Sequence, residues 1–152
     1  MKIAILGSGN VGSALGSGWH KAGHNVIFGV RNPNSSKAEK AQALIPYAEM
    51  KDISRAVEEA GVVVVATPPQ VIGELIALWG DVAEKIIVDT TNTFRPLPET
   101  YPTAFAAIKG LTNAGHVVKC FNSTGYENMK DPLFDGVAAD MFAAGDSQKA
   151  KE

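Results

Sequence analysis

Short apolar runs alternate with stretches of helical periodicity along the whole chain, which predicts alternating strands and helices. Lys2 to Leu6 reads as a strand, Val11 to Ala22 as a helix and Asn25 to Val30 as a second strand, together one βαβ unit. A helix over Ser36 to Leu44, an extended piece over Tyr47 to Met50 and a helix over Ile53 to Ala60 follow, the last ended by Gly61. Val62 to Ala66 is apolar without alternation, as a parallel strand buried on both faces must be, and Pro68 and Pro69 stop it. The pattern continues with a helix over Val71 to Trp79, a strand over Ile86 to Thr90, a proline-rich loop through Pro102, a helix over Ala104 to Leu111 and a strand over His116 to Phe121. After a loop rich in Gly, Asn and Asp, Ala138 to Ala144 reads as a further strand and Asp146 to Glu152 as the capped first turn of a helix. This order predicts the α/β class, three layers around a mostly parallel, doubly wound sheet, in one domain over residues 1–152.

The turn after the first strand changes the picture from fold to ligand. Gly7-Ser8-Gly9-Asn10-Val11-Gly12 fits GxGxxG and stands between a strand and a helix inside a βαβ unit, where a Rossmann fold holds a dinucleotide. Gly7 serves the tight turn, Gly9 lets backbone approach a pyrophosphate, and Gly12 lets the helix pack against the strand, with helix amides facing the anion. The second strand ends in Phe28-Gly29-Val30-Arg31-Asn32, without the carboxylate that accepts from the ribose hydroxyls of NAD. No carboxylate occurs from Met1 to Ala38, so Arg31 is available to a 2′-phosphate, with Asn32, Ser35, Ser36 and Lys37 as further donors. NADP is favoured over NAD.

Composition and charge narrow the classes. With 45% hydrophobic and 20% charged residues among 152, the chain is that of a folded, soluble domain. A net charge of −2 speaks against nucleic acid as a partner, although residues 1–40 carry five basic side chains against Glu39 alone, a balance of +4 that suits a small anion. No apolar run approaches the roughly 18 residues of a membrane span, and Ile3 to Leu6 is too short for a signal peptide, so no membrane partner and a cytoplasmic location are expected. Cys120 is the lone cysteine and forms no ligand cluster with His20, His24 or His116, so neither a disulfide nor a metal is expected.

The segments MKIAILGSGNVGSALGSGWHKAGHNVIFGVRNP, VVVVATPP and VVKCFNSTG resemble the deazaflavin-dependent NADP oxidoreductases over essentially the whole chain. The same fold is shared by the cytosolic domain of the six-transmembrane ferric reductases and, more distantly, by pyrroline-5-carboxylate reductase. The resemblance implies that Ser8, Gly9, Asn10 and Val11 meet the pyrophosphate and that Arg31, Asn32 and Lys37 take the 2′-phosphate. Thr67, Pro68 and Pro69, at the carboxyl edge of the sheet, line the adenosine ribose or the route to the nicotinamide, and segments 89–92 and 122–125, with Thr91, Asn92 and Asn122, surround the nicotinamide. Thr and Asn at strand ends also satisfy loop backbone, which is the alternative role for each.

In this family hydride passes between NADPH and a deazaflavin ring, chemistry that needs proximity and water exclusion more than a side-chain acid or base, so no catalytic residue is assigned. Family members continue for some tens of residues that complete the acceptor pocket and a dimer interface; that part of the architecture is expected to be absent here, with a homodimer as the implied assembly. A deazaflavin or flavin acceptor is the first reading. The alternatives are reduction of a small imine or carbonyl, as in pyrroline-5-carboxylate reductase, and a non-catalytic NADP-binding, redox-sensing module. His20, His24 and His116 read as surface histidines, Cys120 as a buried hydrophobe, and Trp19 and Trp79 as helix residues packed on the sheet.

Overall fold

The centre of the sheet is built from two strands that are apolar throughout except for Lys2 at the start of the first. In the computed structural model, which describes residues 1–97 and 101–152 with the side chains of Lys37 and Leu44 outside that set, β1 (Lys2–Leu6) lies between β2 (Asn25–Val30) and β4 (Val62–Val65). Ile3, Ala4, Ile5, Leu6 and Val63 to Val65 are all buried, because both faces of a central parallel strand are covered by helices. β3 (Glu49–Asp52) flanks β2, while β5 (Ile86–Asp89) and β6 (His116–Cys120) extend the other side, giving the order β3-β2-β1-β4-β5-β6-β9. Every neighbouring pair is parallel except β6 with β9 (Ala143–Ala144), so the sheet is mostly parallel and doubly wound, as the element order predicts.

Strand alternation sends side chains to two cores. Ile3, Ile5, Phe28, Val64, Val88 and Val118 pack on one face with Leu15 of α1 (Asn10–Lys21). Met129 of α6 (Tyr126–Lys130) and Ala150 of α7 (Gln148–Lys151) join that layer. Val63, Val65, Ile87 and Val117 pack on the other face with α3 (Ile53–Glu59), α4 (Ile72–Ile76) and α5 (Ala104–Leu111), through Val57, Ile72, Leu75 and Ile108. Full burial of each such side chain contributes about 1.5–3 kcal/mol. α2 (Ser36–Leu44) is capped by Ser35, whose Oγ accepts from Ala38 N at 3.2 Å. Trp79 is buried against the sheet, and Trp19 meets Phe121 edge to face at 5.8 Å.

The departures from the sequence pattern lie where apolar burial is small. The third strand sits two residues later than expected, at Glu49–Asp52, because this edge strand has one apolar residue, Met50, too little to fix its bounds by pattern. Lys51 bridges Glu49 and Glu59 at 2.9 and 2.7 Å, and the Asp52 carboxylate caps α3 by accepting from Arg55 N at 2.9 Å. The expected helix over Val71 to Trp79 is a 3₁₀ turn, Pro69–Val71, followed by the short α4, and it ends in i→i−3 bonds from Leu78 and Trp79.

The single strand expected over Ala138 to Ala144 is two pieces. Val137–Ala138, as β8, pairs with β7 (Leu133–Phe134) in a hairpin, and Ala143–Ala144 pairs with β6. Asp135 and Gly136 both have positive φ, 50° and 82°, the conformation that an Asp-Gly hairpin turn adopts. Helix α6 has no counterpart among the expected elements, being only five residues within the polar loop. Part of the proline-rich loop, residues 98–100, lies outside the described residues.

Candidate dinucleotide site

Strand order turns back between β1 and β4, and the loops leaving the carboxyl ends of these two strands diverge to form a crevice. At its floor the glycine turn is held by contacts only glycine can make. Gly7 has φ +118°, and a Cβ there would stand 2.5 Å from the Ala66 carbonyl oxygen. A Cβ on Gly12 would overlap the Gly7 carbonyl oxygen, so α1 can start this close to β1 only without a side chain. Gly9, the residue before α1, has ordinary extended backbone, φ −79° and ψ −167°, and a Cβ on it would meet no atom within 4 Å beyond Gly9 and its two chain neighbours. The space beside Gly9 is therefore free, next to the first-turn amides of α1 that have no intrahelical acceptor. Ser13 closes the turn from behind, its Oγ donating to Ser8 O at 3.2 Å and its amide to Gly9 O at 2.8 Å.

The cleft above this turn has a volume of about 600 Å³, within the range of small-molecule sites. Gly7, Ser8 and Gly9 line it together with Val30, Arg31, Asn32 and Ser35 from the end of β2 and with Thr67 and Pro68 from the end of β4. Asn32 is fixed by its own turn: its Oδ1 accepts from Asn34 N at 3.0 Å, and its carbonyl accepts from Ser35 Oγ at 2.8 Å. Its side-chain amide is left to face outward beside the exposed Arg31. The Thr67 hydroxyl is buried and has no hydrogen-bond partner.

The remaining expected residues are distributed differently. Asn10, Val11 and Gly12 belong to the first turn of α1 and support the cleft without lining it. Ser36 is the exposed first residue of α2 and stands outside the lining, its place taken by Ser35, while the side chain of Lys37 lies outside the described residues. Pro69 begins the 3₁₀ turn next to the lining residue Pro68. Thr91, Asn92 and Asn122 lie at the carboxyl ends of β5 and β6, also outside that lining. Asn92 Nδ2 donates to Asn122 O at 2.7 Å, and Asn122 Nδ2 to Asn92 Oδ1 at 3.3 Å, which ties the two strand ends together. Below them Asp89, wholly buried, accepts from Thr91 N at 2.9 Å and from Lys119 Nζ at 2.8 Å.

A wall of the cleft escapes sequence reasoning. Ile53 from the start of α3 and Val71, Glu74, Leu75 and Leu78 from the α4 segment complete the lining. The 71, 75, 78 spacing reads as an ordinary core face, and nothing in the sequence marks it as the wall of a cleft; in the structure Leu75 is buried and Leu78 is exposed. Outside the cleft, burial pushes the Cys120 thiol up from its ordinary value, which suits a packed side chain rather than a nucleophile. His20 stacks on Tyr47 at 3.9 Å and His116 Nδ1 lies 2.9 Å from Ser147 Oγ, so both are engaged in local structure. No described helix is long and apolar enough to cross a membrane.

A glycine turn at the switch point of a doubly wound parallel sheet, with a basic loop at the end of the next strand, defines a Rossmann-type dinucleotide-binding protein. The chain belongs to the family of coenzyme F420-dependent NADP oxidoreductases, whose pattern matches residues 2–93. It is 30% identical over 131 residues to pyrroline-5-carboxylate reductase of Mycobacterium leprae, covering 77% of this chain and 43% of the relative, so it spans less than half the length of that enzyme. A crystal structure of a candidate F420-dependent NADP reductase from Arthrobacter sp. FB24 matches 99% of this chain and 76% of that one, with a TM-score of 0.80 and 26% identity. The fold extends to a reductive aminase from Aspergillus terreus solved with NADPH4, cyclohexanone and allyl amine, at a TM-score of 0.65 and 19% identity over 86% of this chain and 44% of that one. The family is one of NADP oxidoreductases, the class that the glycine turn and Arg31 predict.

Proposed function

We propose that the cleft binds NADP(H) and that the protein passes a hydride between the nicotinamide and a deazaflavin or flavin ring. The amides of the glycine turn and of the first turn of α1 hold the pyrophosphate, and Arg31, Asn32 and Ser35 hold the 2′-phosphate. Residues 1–152 act as one dinucleotide-binding domain, in the cytoplasm and as a homodimer. Beyond the pyrophosphate the ligand runs past Thr67 and Pro68 toward Thr91, Asn92 and Asn122, which orient the nicotinamide end and keep water from it. When bound, NADPH supplies the hydride, and the side chains contribute position rather than proton transfer.

One observation carries this reading: the free space at Gly9 and the Arg31 side chain share a single cleft whose β2 end offers no carboxylate to a ribose. The unpartnered Thr67 hydroxyl beside it supplies a further polar group for the ligand. Titration with NADPH and NADH by calorimetry tests the binding. Addition of riboflavin, FMN, FAD and coenzyme F420 to the NADPH complex, followed at the reduced-nicotinamide band, tests the transfer. Tighter binding of NADPH and its oxidation by one of these rings are the expected results.

A second acceptor is favoured by the 30% identity to pyrroline-5-carboxylate reductase: a small cyclic imine. Oxidation of NADPH by pyrroline-5-carboxylate, with no response to any flavin, would replace the ring acceptor by an imine. Tight NADPH binding without turnover on either class would make the chain a dinucleotide sensor instead.

A further inference from the structure

Among the described residues, two charged side chains line the cleft, Arg31 and Glu74, and they have opposite sign. Arg31 is accounted for by the 2′-phosphate. Glu74 is exposed, belongs to α4, and takes part in none of the chain's ion pairs among the described residues. A carboxylate in a pocket for a ligand with several phosphate charges is unfavourable unless it meets a donor, so its position calls for a group on the ligand that carries hydrogen.

The rest of the lining says which group. With the pyrophosphate on Gly7 to Gly9 and the phosphorylated ribose at Arg31, Asn32 and Ser35, what remains is the apolar wall of Ile53, Val71, Leu75 and Leu78. Such a wall suits the flat face of a purine, and Glu74 is the polar side chain set among these residues. An ionised carboxylate accepts hydrogen bonds and cannot donate. At C6 adenine presents an amino group that donates, whereas a 6-oxopurine presents an oxygen that only accepts. We propose that Glu74 receives the 6-amino group of the adenine and is a specificity-determining residue for the base, an inference that rests on the NADP(H) reading of the cleft. A carboxylate set opposite C6 disfavours the 6-oxo analogue, whose C6 oxygen faces it as a second acceptor and whose ring hydrogen sits on N1 instead.

The test compares NADPH with its hypoxanthine analogue, in which the 6-amino group is replaced by oxygen, by calorimetry on the wild-type chain and on Glu74→Gln. The wild type should bind NADPH at least about tenfold more tightly than the analogue. In Glu74→Gln, whose amide can donate or accept, the ratio should fall to about threefold or less, while the preference for NADPH over NADH stays as in the wild type. Glu74 is exposed, so circular dichroism should report an unchanged fold. Equal affinity of the wild type for the two bases overturns the proposal, as does a variant that keeps the full ratio or weakens both ligands alike. A wild type that binds none of these dinucleotides removes the NADP(H) reading itself, and the base assignment with it, a result distinct from binding without base preference.

Discussion

The Lys119 ammonium lies 2.8 Å from the Asp89 carboxylate, and the two residues stand directly opposite each other on β6 and β5. Asp89 is wholly buried, and the same lysine donates to Thr91 O at 2.6 Å, so one cation neutralises the buried charge and pins the loop that follows it. Truncating a partner of such a pair leaves an uncompensated buried charge. Lys119→Met should therefore cost about 3–5 kcal/mol in urea unfolding. Asp89→Asn, which leaves unpaired only the Lys119 ammonium, 25% exposed to solvent, should cost less. Equal stability of Lys119→Met and the wild type would show that the pair contributes nothing.

Two glycines of the same turn should respond in opposite ways. Gly9→Val places its side chain in free space on backbone that any residue adopts, so the fold should persist by circular dichroism while NADPH and NADH binding are both lost. Gly12→Val must displace the Gly7 carbonyl and should unfold or strongly destabilise the chain. Undiminished binding by Gly9→Val would remove this turn from the site.

Arg31→Ala should weaken NADPH by about 1.5–3 kcal/mol, the size of a hydrogen bond to a charged group, and should leave NADH nearly unchanged. Isothermal titration of both ligands reads this directly. Matching losses for the two would place Arg31 on the pyrophosphate or outside the site.

The Lys2, Lys51 and Glu59 cluster predicts a pH dependence. Hydrogen bonds from Lys51 and Lys2 hold the Glu59 carboxyl below its ordinary value of 4.5, and bonds to Glu59 and Glu49 hold the Lys51 ammonium above its ordinary value of 10.5. A lowered carboxylate stabilises the fold above its unfolded value, and that contribution is lost as pH falls through the folded one; the raised lysine contributes below its unfolded value and loses it as pH rises through the folded one. Stability at the β3 edge should thus decline below about pH 4.5 and above about pH 10.5. Glu59→Gln should flatten the acid limb of a Tm-versus-pH profile. The Lys51 and Glu59 side chains keep 25% and 28% of their surface in contact with solvent, so the change should be small and reduced by salt.

The sequence by itself determined the class of fold, the order of most elements, and the glycine turn and Arg31 that line the cleft. Central parallel strands must be continuously apolar, so β1 and β4 stand out, and GxGxxG has a mechanical meaning only between a strand and a helix. Arg31 was legible because the choice between carboxylate and arginine at the end of β2 is local. Tertiary structure decided the rest. β3 is held by Lys51 and the Asp52 cap with Met50 alone packed on the core, α6 is a short polar helix, and the hairpin around Asp135-Gly136 has two-residue strands that lie exposed and are too short to show a period. The same holds for the wall of Ile53, Val71, Glu74, Leu75 and Leu78. Its members come from the start of α3 and from the segment 71–78 around α4, are spaced like core residues, and become a wall of the cleft only because the fold brings these distant segments together with the glycine turn and the end of β2, which no local pattern encodes.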